Sequence, residues 1–350
     1  MAADDTTSAN LRLALRIAAS ATICLFLSEL FKMNQPSLSV FTCHLSMVLF
    51  PYSAFQKMLE RLGGRVLGVS YGLTLVAFLN DAPFLLLALM LLGQIFFFYV
   101  NASGRLAYAS LMGGLFVGVI VEIGIASSPV AAQDYAVGLI EQLVLATFVI
   151  FHVNWFTGAE RSLAIETRGE PLLPLRAGWL SKSGMVSTGQ VVSMMTAVWF
   201  GLPVLPTMIS ATLLAVTTTD AVAMGEKALE RAAGAVLGGT YAMACMVVLA
   251  YIPEFSLLLA LVFYGMFLAA YFTKANARFT YTFMQAGLVL PLVLIGTSGE
   301  VGNIGTMIGR LFGVATGLTL AEVIFLCWPW PMVTTPPPPS RSAEVVQPGH

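Results

Sequence analysis

The sequence predicts an all-α, polytopic membrane protein of about twelve transmembrane helices, arranged as two parallel six-helix repeats. Three observations indicate this fold: an apolar composition, a series of long apolar runs, and a motif that occurs twice. Hydrophobic residues make up 58% of the 350 residues, and charged residues only 10%. Soluble domains carry about 25% charged residues because their surfaces face water. Lipid is therefore the solvent that this composition fits.

Twelve apolar runs are long enough to cross a bilayer, which takes roughly 20 mostly apolar residues. The predicted spans are 13–31, 36–54, 64–80, 83–100, 106–126, 136–156, 184–201, 205–222, 233–251, 255–272, 279–296 and 304–327. Backbone groups cannot stay unpaired in lipid, so continuous runs of this length favour helices. A transmembrane barrel would instead show runs of about ten residues with alternating polar positions.

The distribution of lysine and arginine predicts the orientation. With both termini in the cytoplasm, 15 of the 17 basic residues fall in cytoplasmic segments, while Lys32 lies outside and Arg310 lies within a span. Membrane proteins carry such an excess of basic residues on the cytoplasmic side. We therefore expect a multi-pass protein of the bacterial inner (plasma) membrane with both termini cytoplasmic.

A repeated motif indicates an internal duplication. The pattern E-R-x-x-G-x-V-L-G-x-x-Y at 60–71 recurs at 230–241, an offset of 170 (230 − 60), and prolines at 36 and 83 match prolines at 206 and 253. Each unit holds an even number of predicted spans, so both copies insert with the same orientation. This predicts a parallel repeat about an axis along the membrane normal. Glycines at four-residue spacing in predicted helices three, nine and twelve further predict close helix packing.

The chain divides into four predicted segments. Residues 1–156 form the first six-helix membrane unit, and 184–330 form the second. The polar stretch 157–183 is predicted to be a cytoplasmic linker. Residues 331–350 include a run of four prolines and are predicted to be a disordered tail.

The six-helix unit, its Arg-x-x-Gly-x-x-x-Gly motif and its duplication resemble the fusaric acid resistance / aromatic acid exporter superfamily. The resemblance covers about residues 10–330 and is greatest to compact bacterial members without the large cytoplasmic domain. The family often has threonine after the first motif glycine, where this chain has Arg65 and Ala235. The resemblance implies export of small organic acids, typically aromatic carboxylates, or of amphipathic drugs. It also implies a periplasmic adaptor protein and an outer-membrane channel as partners.

Arg310, in the last predicted span, is a candidate for binding an anionic substrate. A charged group inside the bilayer costs roughly 2.5–3.5 kcal/mol on insertion scales, so it needs a partner. A guanidinium group binds a carboxylate through two parallel hydrogen bonds, which suits an organic acid. The alternative is that Arg310 reaches the outer interface or pairs with Glu300 or Glu141. Gln285 is a second candidate, either for substrate or for an interhelical hydrogen bond.

Three acids within predicted spans are candidates for proton coupling: Glu122, Glu141 and Glu322. Ionisation is costly in lipid, so an intramembrane carboxyl group can take up and release a proton during transport. His44 is a candidate substrate contact or proton relay, since imidazole titrates near neutral pH. For each of these residues, the alternative is a structural contact with a neighbouring helix.

Arg61 and Arg231 begin predicted helices three and nine at the cytoplasmic face. They can form a symmetric vestibule in which an anionic substrate collects. Alternatively, they set the topology and pair locally with Glu60 and Glu230, which is the interpretation that the sequence favours.

Several function classes find no support in the sequence. The formal net charge of −1 gives no reason to expect nucleic acid binding. The histidines are scattered and no metal-ligand spacing occurs, so we expect neither a cofactor nor enzyme activity. No P-loop motif is present, so an ion gradient is the expected driving force. A passive anion channel on the same scaffold is the main alternative, and a membrane-embedded enzyme is a weaker one.

Overall fold

The computed structural model describes residues 2–51, 53–104, 106–158, 172, 175–201 and 221–295, together with isolated positions between 305 and 328. Throughout this part of the chain the regular structure is helical, and no strand occurs in it. The all-α prediction is therefore confirmed.

Ten α-helices and one short 3-10 helix make up the continuous described segments. They are α1 (Ala2–Leu30), α2 (Ser37–Leu49), α3 (Ala54–Leu79), α4 (Pro83–Ala102), α5 (Ala107–Ala126), α6 (Pro129–Phe156), α7 (Ala177–Phe200), α8 (Ala221–Tyr251), α9 (Phe255–Ala275) and α10 (Thr280–Leu294), with the 3-10 helix at Ala277–Phe279. The described positions between 305 and 327 are also helical.

Eight helical segments in the described part are long and apolar enough to cross a membrane. They comprise α1, α3, α4, α5, α6, α8, α9, and α10 together with the 3-10 helix before it. Their outward surfaces carry large apolar side chains, such as Phe84, which is 90% exposed, and Phe78. A contiguous apolar surface of this kind is unfavourable in water and suits contact with lipid. The protein is thus a multi-pass helical membrane protein.

Helix α2 is shorter than its predicted span, 36–54. Its 13 residues extend about 20 Å, less than the roughly 30 Å hydrocarbon core. The helix ends at Leu49 because Pro51 follows closely, and a proline disfavours helical backbone at the residue before it. Most of its side chains are buried, including several polar ones. Hydropathy alone therefore overestimated the length of this helix.

Other helices extend beyond their predicted bounds. Helix α3 begins at Ala54 rather than at 64, and α6 begins at Pro129 rather than at 136. The hydroxyl of Ser128 accepts a hydrogen bond from the backbone N–H of Ala131 and so caps α6. Helix α7 begins at Ala177, inside the predicted linker. Hydropathy marks the apolar part of a helix, whereas backbone hydrogen bonding continues through polar residues at its ends.

Helix α5 lies at the centre of the first half and is the most buried of the eight candidate spans. It packs along α3 and also contacts α4, α6 and α7. In the second half, α8 packs along α10 in the same manner, and these two pairs are the most extensive in the structure. The halves meet where α4 packs on α7 and where α9 packs on α1.

Glycines allow the backbones of both major pairs to touch. A methyl group at Gly68 on α3 would overlap the carbonyl oxygen of Gly113 on α5, and one at Gly238 on α8 would overlap that of Ala286 on α10. Gly64 and Gly234 face α5 and α10 in the same way. Such contact is a main source of helix association in lipid, where apolar burial gives little drive. The predicted role of these glycines in packing is confirmed.

A matching hydrogen bond occurs in each half. The Tyr71 hydroxyl donates to the Leu89 carbonyl oxygen at 2.9 Å, and the Tyr241 hydroxyl donates to the Leu261 carbonyl oxygen at 2.8 Å. The members of these pairs lie 170 (241 − 71) and 172 (261 − 89) residues apart. Contacts as well as sequence therefore recur at the offset of the repeated motif.

We expect Gly68→Ala to lower the melting temperature of the detergent-solubilised protein, because the new methyl group would force the α3 and α5 backbones apart. Gly63→Ala is the matched control on the same helix, since a methyl group there meets open space. That change should be neutral or stabilising by up to about 1 kcal/mol, the difference in helix propensity. Equal effects of the two substitutions would contradict the close backbone contact.

Candidate anion-binding site

Two arginines of α3 are buried next to each other. Arg61 and Arg65 are each 2% exposed, and their four-residue spacing places both on one face of the helix. That face is turned inward because Gly64 and Gly68 hold α3 against α5. The same packing that joins the two helices therefore carries two positive charges into the protein.

Arg65 lies against an aromatic ring. Its guanidinium carbon lies 4.5 Å from the ring centre of Phe116 on α5, close enough for a cation–π interaction. Tyr108 and Tyr135 lie near enough to interact with it electrostatically, as does Arg61. Its Nε and one terminal nitrogen are buried and have no hydrogen-bond partner within the described segments. The Phe116 ring therefore packs against the guanidinium of Arg65, and N–H groups of that guanidinium are left to bind an acceptor.

Arg61 contacts the short helix α2. One of its terminal nitrogens donates to the Ser46 hydroxyl at 3.4 Å, and the guanidinium lies 5.8 Å from the ring of Phe41. The Nε atom has no partner. Helices α2, α3 and α5 thus contribute to a common arginine-rich region.

Among the described residues, no carboxylate contacts either arginine. Glu60, which precedes Arg61, pairs with Lys57 at 2.8 Å instead. The predicted local pairing of Arg61 with Glu60 is therefore wrong: Arg61 turns inward on α3, and Glu60 reaches back one turn to Lys57. Two buried like charges without a counter-charge are costly to hold in a protein interior. An anion bound between them would relieve that cost.

The second half has only part of this arrangement. Arg231, which corresponds to Arg61 in the repeated motif, is 5% exposed and has two guanidinium nitrogens without partners. The position that corresponds to Arg65 is Ala235. Gln285 is buried, and its Cβ lies against Gly234 on α8. The predicted symmetric vestibule of Arg61 and Arg231 is therefore unequal in charge, with two arginines in one half and one in the other.

His44 lies at a contact between the halves. Its Nε2 is 3.2 Å from the Met284 carbonyl oxygen on α10, and its ring fills the space beside Gly287. Its Nδ1 is buried without a partner. His44 therefore makes a structural contact with a neighbouring helix, which was one of its two interpretations. Its roles in substrate contact or proton relay stay predictions.

The two described acids of the proton-coupling prediction occupy different surroundings. Glu122 on α5 is fully buried, and neither carboxylate oxygen has a hydrogen-bond partner among the described residues. Glu141 on α6 is partly exposed and lines an open apolar groove of about 500 Å³ beside Phe31 and Phe148. The structure therefore separates these acids and joins neither to the arginines.

Two predicted site residues, Arg310 and Glu322, lie outside the described residues. Conversely, Arg65 is a site residue that sequence reasoning missed. In the sequence Arg65 stands out only as a departure from the pattern of the aromatic acid exporters, although its spacing from Arg61 places the two on one helix face. Its burial could not be read from the sequence, because the positive-inside rule gives the same pattern for exposed arginines.

The chain matches no protein-family profile, no curated protein and no solved structure. The resemblance to the aromatic acid exporters therefore rests on the motif and its duplication alone, and the function is argued from the site.

We expect Arg65→Met to raise the melting temperature of the anion-free protein in detergent. The change replaces a buried charge that no described carboxylate neutralises by an apolar side chain of similar length, and so removes the cost of keeping that charge out of water. Arg278→Met, at an exposed arginine that also lies over an aromatic ring, should leave the temperature unchanged. A large loss of stability in Arg65→Met would mean that the guanidinium has an essential structural partner.

Proposed function

We propose that this protein is an inner-membrane transporter that exports small organic anions and that Arg61 and Arg65 bind the anion. The observation that carries the proposal is the buried pair of arginines, which no carboxylate contacts in the part of the chain that the structure describes. Free donors on a desolvated guanidinium form charge-assisted hydrogen bonds, which are about twice as strong as neutral ones. Such a pair suits an exporter, because no described carboxylate of the protein competes with the substrate anion for the two arginines.

The surroundings of the pair favour an aromatic carboxylate as substrate. Phe116 and Phe41 lie beside the two guanidinium groups, and Tyr108 has a buried hydroxyl without a partner. Aromatic rings pack edge-to-face with one another, so a ring attached to the carboxylate gains contact area there. This agrees with the aromatic acid exporters that the sequence resembles. Amphipathic drugs are the second substrate class implied by that resemblance.

We also propose that the chain has about twelve membrane helices in two parallel six-helix repeats. The matching tyrosine hydrogen bonds and the matching glycine contacts of α3 with α5 and α8 with α10 support this architecture. The reciprocal packing of α4 on α7 and α9 on α1 supports it too, since these helices occupy the same order in each half. Parallel repeats of this kind are a common plan for transporters.

Three further parts of the proposal come from the sequence. The basic residues place both termini in the cytoplasm of a bacterial inner membrane. The absence of a P-loop motif assigns the driving force to an ion gradient. The family resemblance assigns a periplasmic adaptor protein and an outer-membrane channel as partners.

The parallel repeat predicts that equivalent loops lie on the same side of the membrane. In a Cys327→Ser background, Asp81→Cys and Glu254→Cys place thiols in the exposed α3–α4 and α8–α9 loops. A membrane-impermeant maleimide should label both from the periplasmic side and should label Thr157→Cys only after the membrane is opened. Labelling of positions 81 and 254 from opposite sides would exclude a parallel repeat.

We expect everted membrane vesicles containing the protein to accumulate radiolabelled benzoate when an ion gradient is imposed. Arg61→Ala and Arg65→Ala should each weaken benzoate transport about tenfold to a hundredfold, since a hydrogen bond to a charged group contributes about 1.5–3 kcal/mol. Arg278→Ala is the control at an exposed arginine. Normal transport by correctly inserted Arg65→Ala would refute the site, and flux that ignores the ion gradient would favour the anion channel.

A further inference from the structure

A second polar cluster lies between α4, α5 and α7, on residues that the anion site does not use. Gln94 of α4, Gln190 of α7 and Glu122 of α5 are all fully buried. The side-chain amide of Gln190 donates to the Leu115 carbonyl oxygen at 2.9 Å, and that of Gln94 donates to the Gly114 carbonyl oxygen at 3.4 Å. Neither amide oxygen and neither carboxylate oxygen accepts a hydrogen bond from any described residue.

Gly118 brings these groups together. A methyl group at this position would overlap the side-chain nitrogens of both Gln94 and Gln190, so the two amides meet above the glycine. Glu122 follows Gly118 by one helical turn, and helical side chains lean toward the N-terminus, over the preceding turn. Glu122 therefore lies on the same face of α5 as Gly118. Two further hydroxyls of α7, those of Ser187 and Ser193, are buried without partners.

The other half of the protein provides an internal comparison. The helices that correspond to α4, α5 and α7 are α9, α10 and α1, and α9 packs on both of the others. The residues at equivalent positions are Met266 (94 + 172), Ile295 (122 + 173) and Ser20 (190 − 170). Met266 and Ile295 belong to a buried apolar cluster. Two of the three equivalent positions therefore hold apolar side chains and the third holds a small buried serine, so packing does not require Gln94 or Glu122.

The chemistry of the cluster is that of a cation site. The unused groups of Glu122, Gln94 and Gln190 are oxygens, namely one carboxylate and two amide carbonyls, and oxygens are the ligands that hard cations prefer. A buried carboxylate without a partner is costly unless a positive charge joins it. One carboxylate matches one positive charge, which a proton on Glu122 or a sodium ion beside it can supply.

Among the described residues, the charged groups on neighbouring helices are few. Helix α4 carries no aspartate, glutamate, lysine, arginine or histidine, and α7 carries Lys182. On the other sides of α5, α3 brings the Arg65 guanidinium against Phe116, and α6 carries Asp134, Glu141 and His152, of which Asp134 is exposed. No described basic side chain forms an ion pair with Glu122.

We infer that Glu122, Gln94 and Gln190 bind the monovalent cation whose gradient drives transport. The inference rests on the proposed function and assigns its coupling site. The cluster lies between α4 and α5 of the first half and α7 of the second, so movement of the halves would open or close it. An occupied site would neutralise Glu122 and allow the helices to repack, which couples the cation to the movement.

The first test measures the cation directly in the purified full-length protein. In choline buffer of constant ionic strength, replacing choline by sodium should raise the melting temperature if sodium is the ion. If the proton is the ion, sodium should have no such effect, and an infrared carboxyl band should appear and vanish as pH is varied. Glu122→Gln should abolish whichever signal is found, whereas Glu254→Gln, at an exposed loop glutamate, should preserve it. Absence of both signals in the wild-type protein would overturn the inference.

The second test measures coupling in proteoliposomes with benzoate as the probe. Glu122→Gln should lose gradient-driven accumulation of benzoate and retain counterflow exchange, because the anion site is intact. The triple variant Gln94→Met, Gln190→Ser, Glu122→Ile carries the residues that the other half has at these positions. It should fold, lose gradient-driven accumulation and retain counterflow exchange, as Glu122→Gln does. Gradient-driven accumulation by either variant at the wild-type level would overturn the inference. If wild-type protein moves no benzoate at all, the proposed function fails, while the cation signals of the first test still decide the site.

Discussion

The contact between the backbones of α3 and α5 is the constraint on which the rest of the structure depends. Lipid gives little apolar drive for helix association, so the two helices join through glycines that let their backbones touch. The same approach turns Arg61 and Arg65 inward and places Arg65 over Phe116. The packing of the fold and the charge of the candidate site are therefore consequences of one interface.

The buried pair of Arg61 and Arg65 destabilises the folded protein locally. Like charges one turn apart are unfavourable in a protein interior, and removing one of them would usually help folding. Proteins hold unfavourable groups mainly where function needs them. Glu122 is a second such group, because it is buried on another helix with no partner among the described residues. A binding site for an anion and one for a cation would give each unbalanced charge its counterpart.

The two halves share a scaffold but differ in chemistry. Their tyrosine hydrogen bonds and glycine contacts match, whereas the second half has Ala235 where the first has Arg65, and Met266 where the first has Gln94. The shared contacts fix where these helices lie, and the residues that differ set the polarity of each interface. Among the described residues, the buried arginine pair and the cluster of Gln94, Gln190 and Glu122 lie in the first half and at its boundary with α7.

The sequence by itself determined the helical class, the membrane setting and the approximate bounds of α4, α5 and α9, because hydropathy and helix length are local properties that lipid imposes. It also identified the glycines and arginines of the repeated motif. Only the tertiary structure decided that α2 ends at Leu49, that Glu60 pairs with Lys57, and that Arg65 and Gln94 are buried. These facts depend on which distant segments pack together. A charged side chain has the same local pattern whether it faces solvent or another helix.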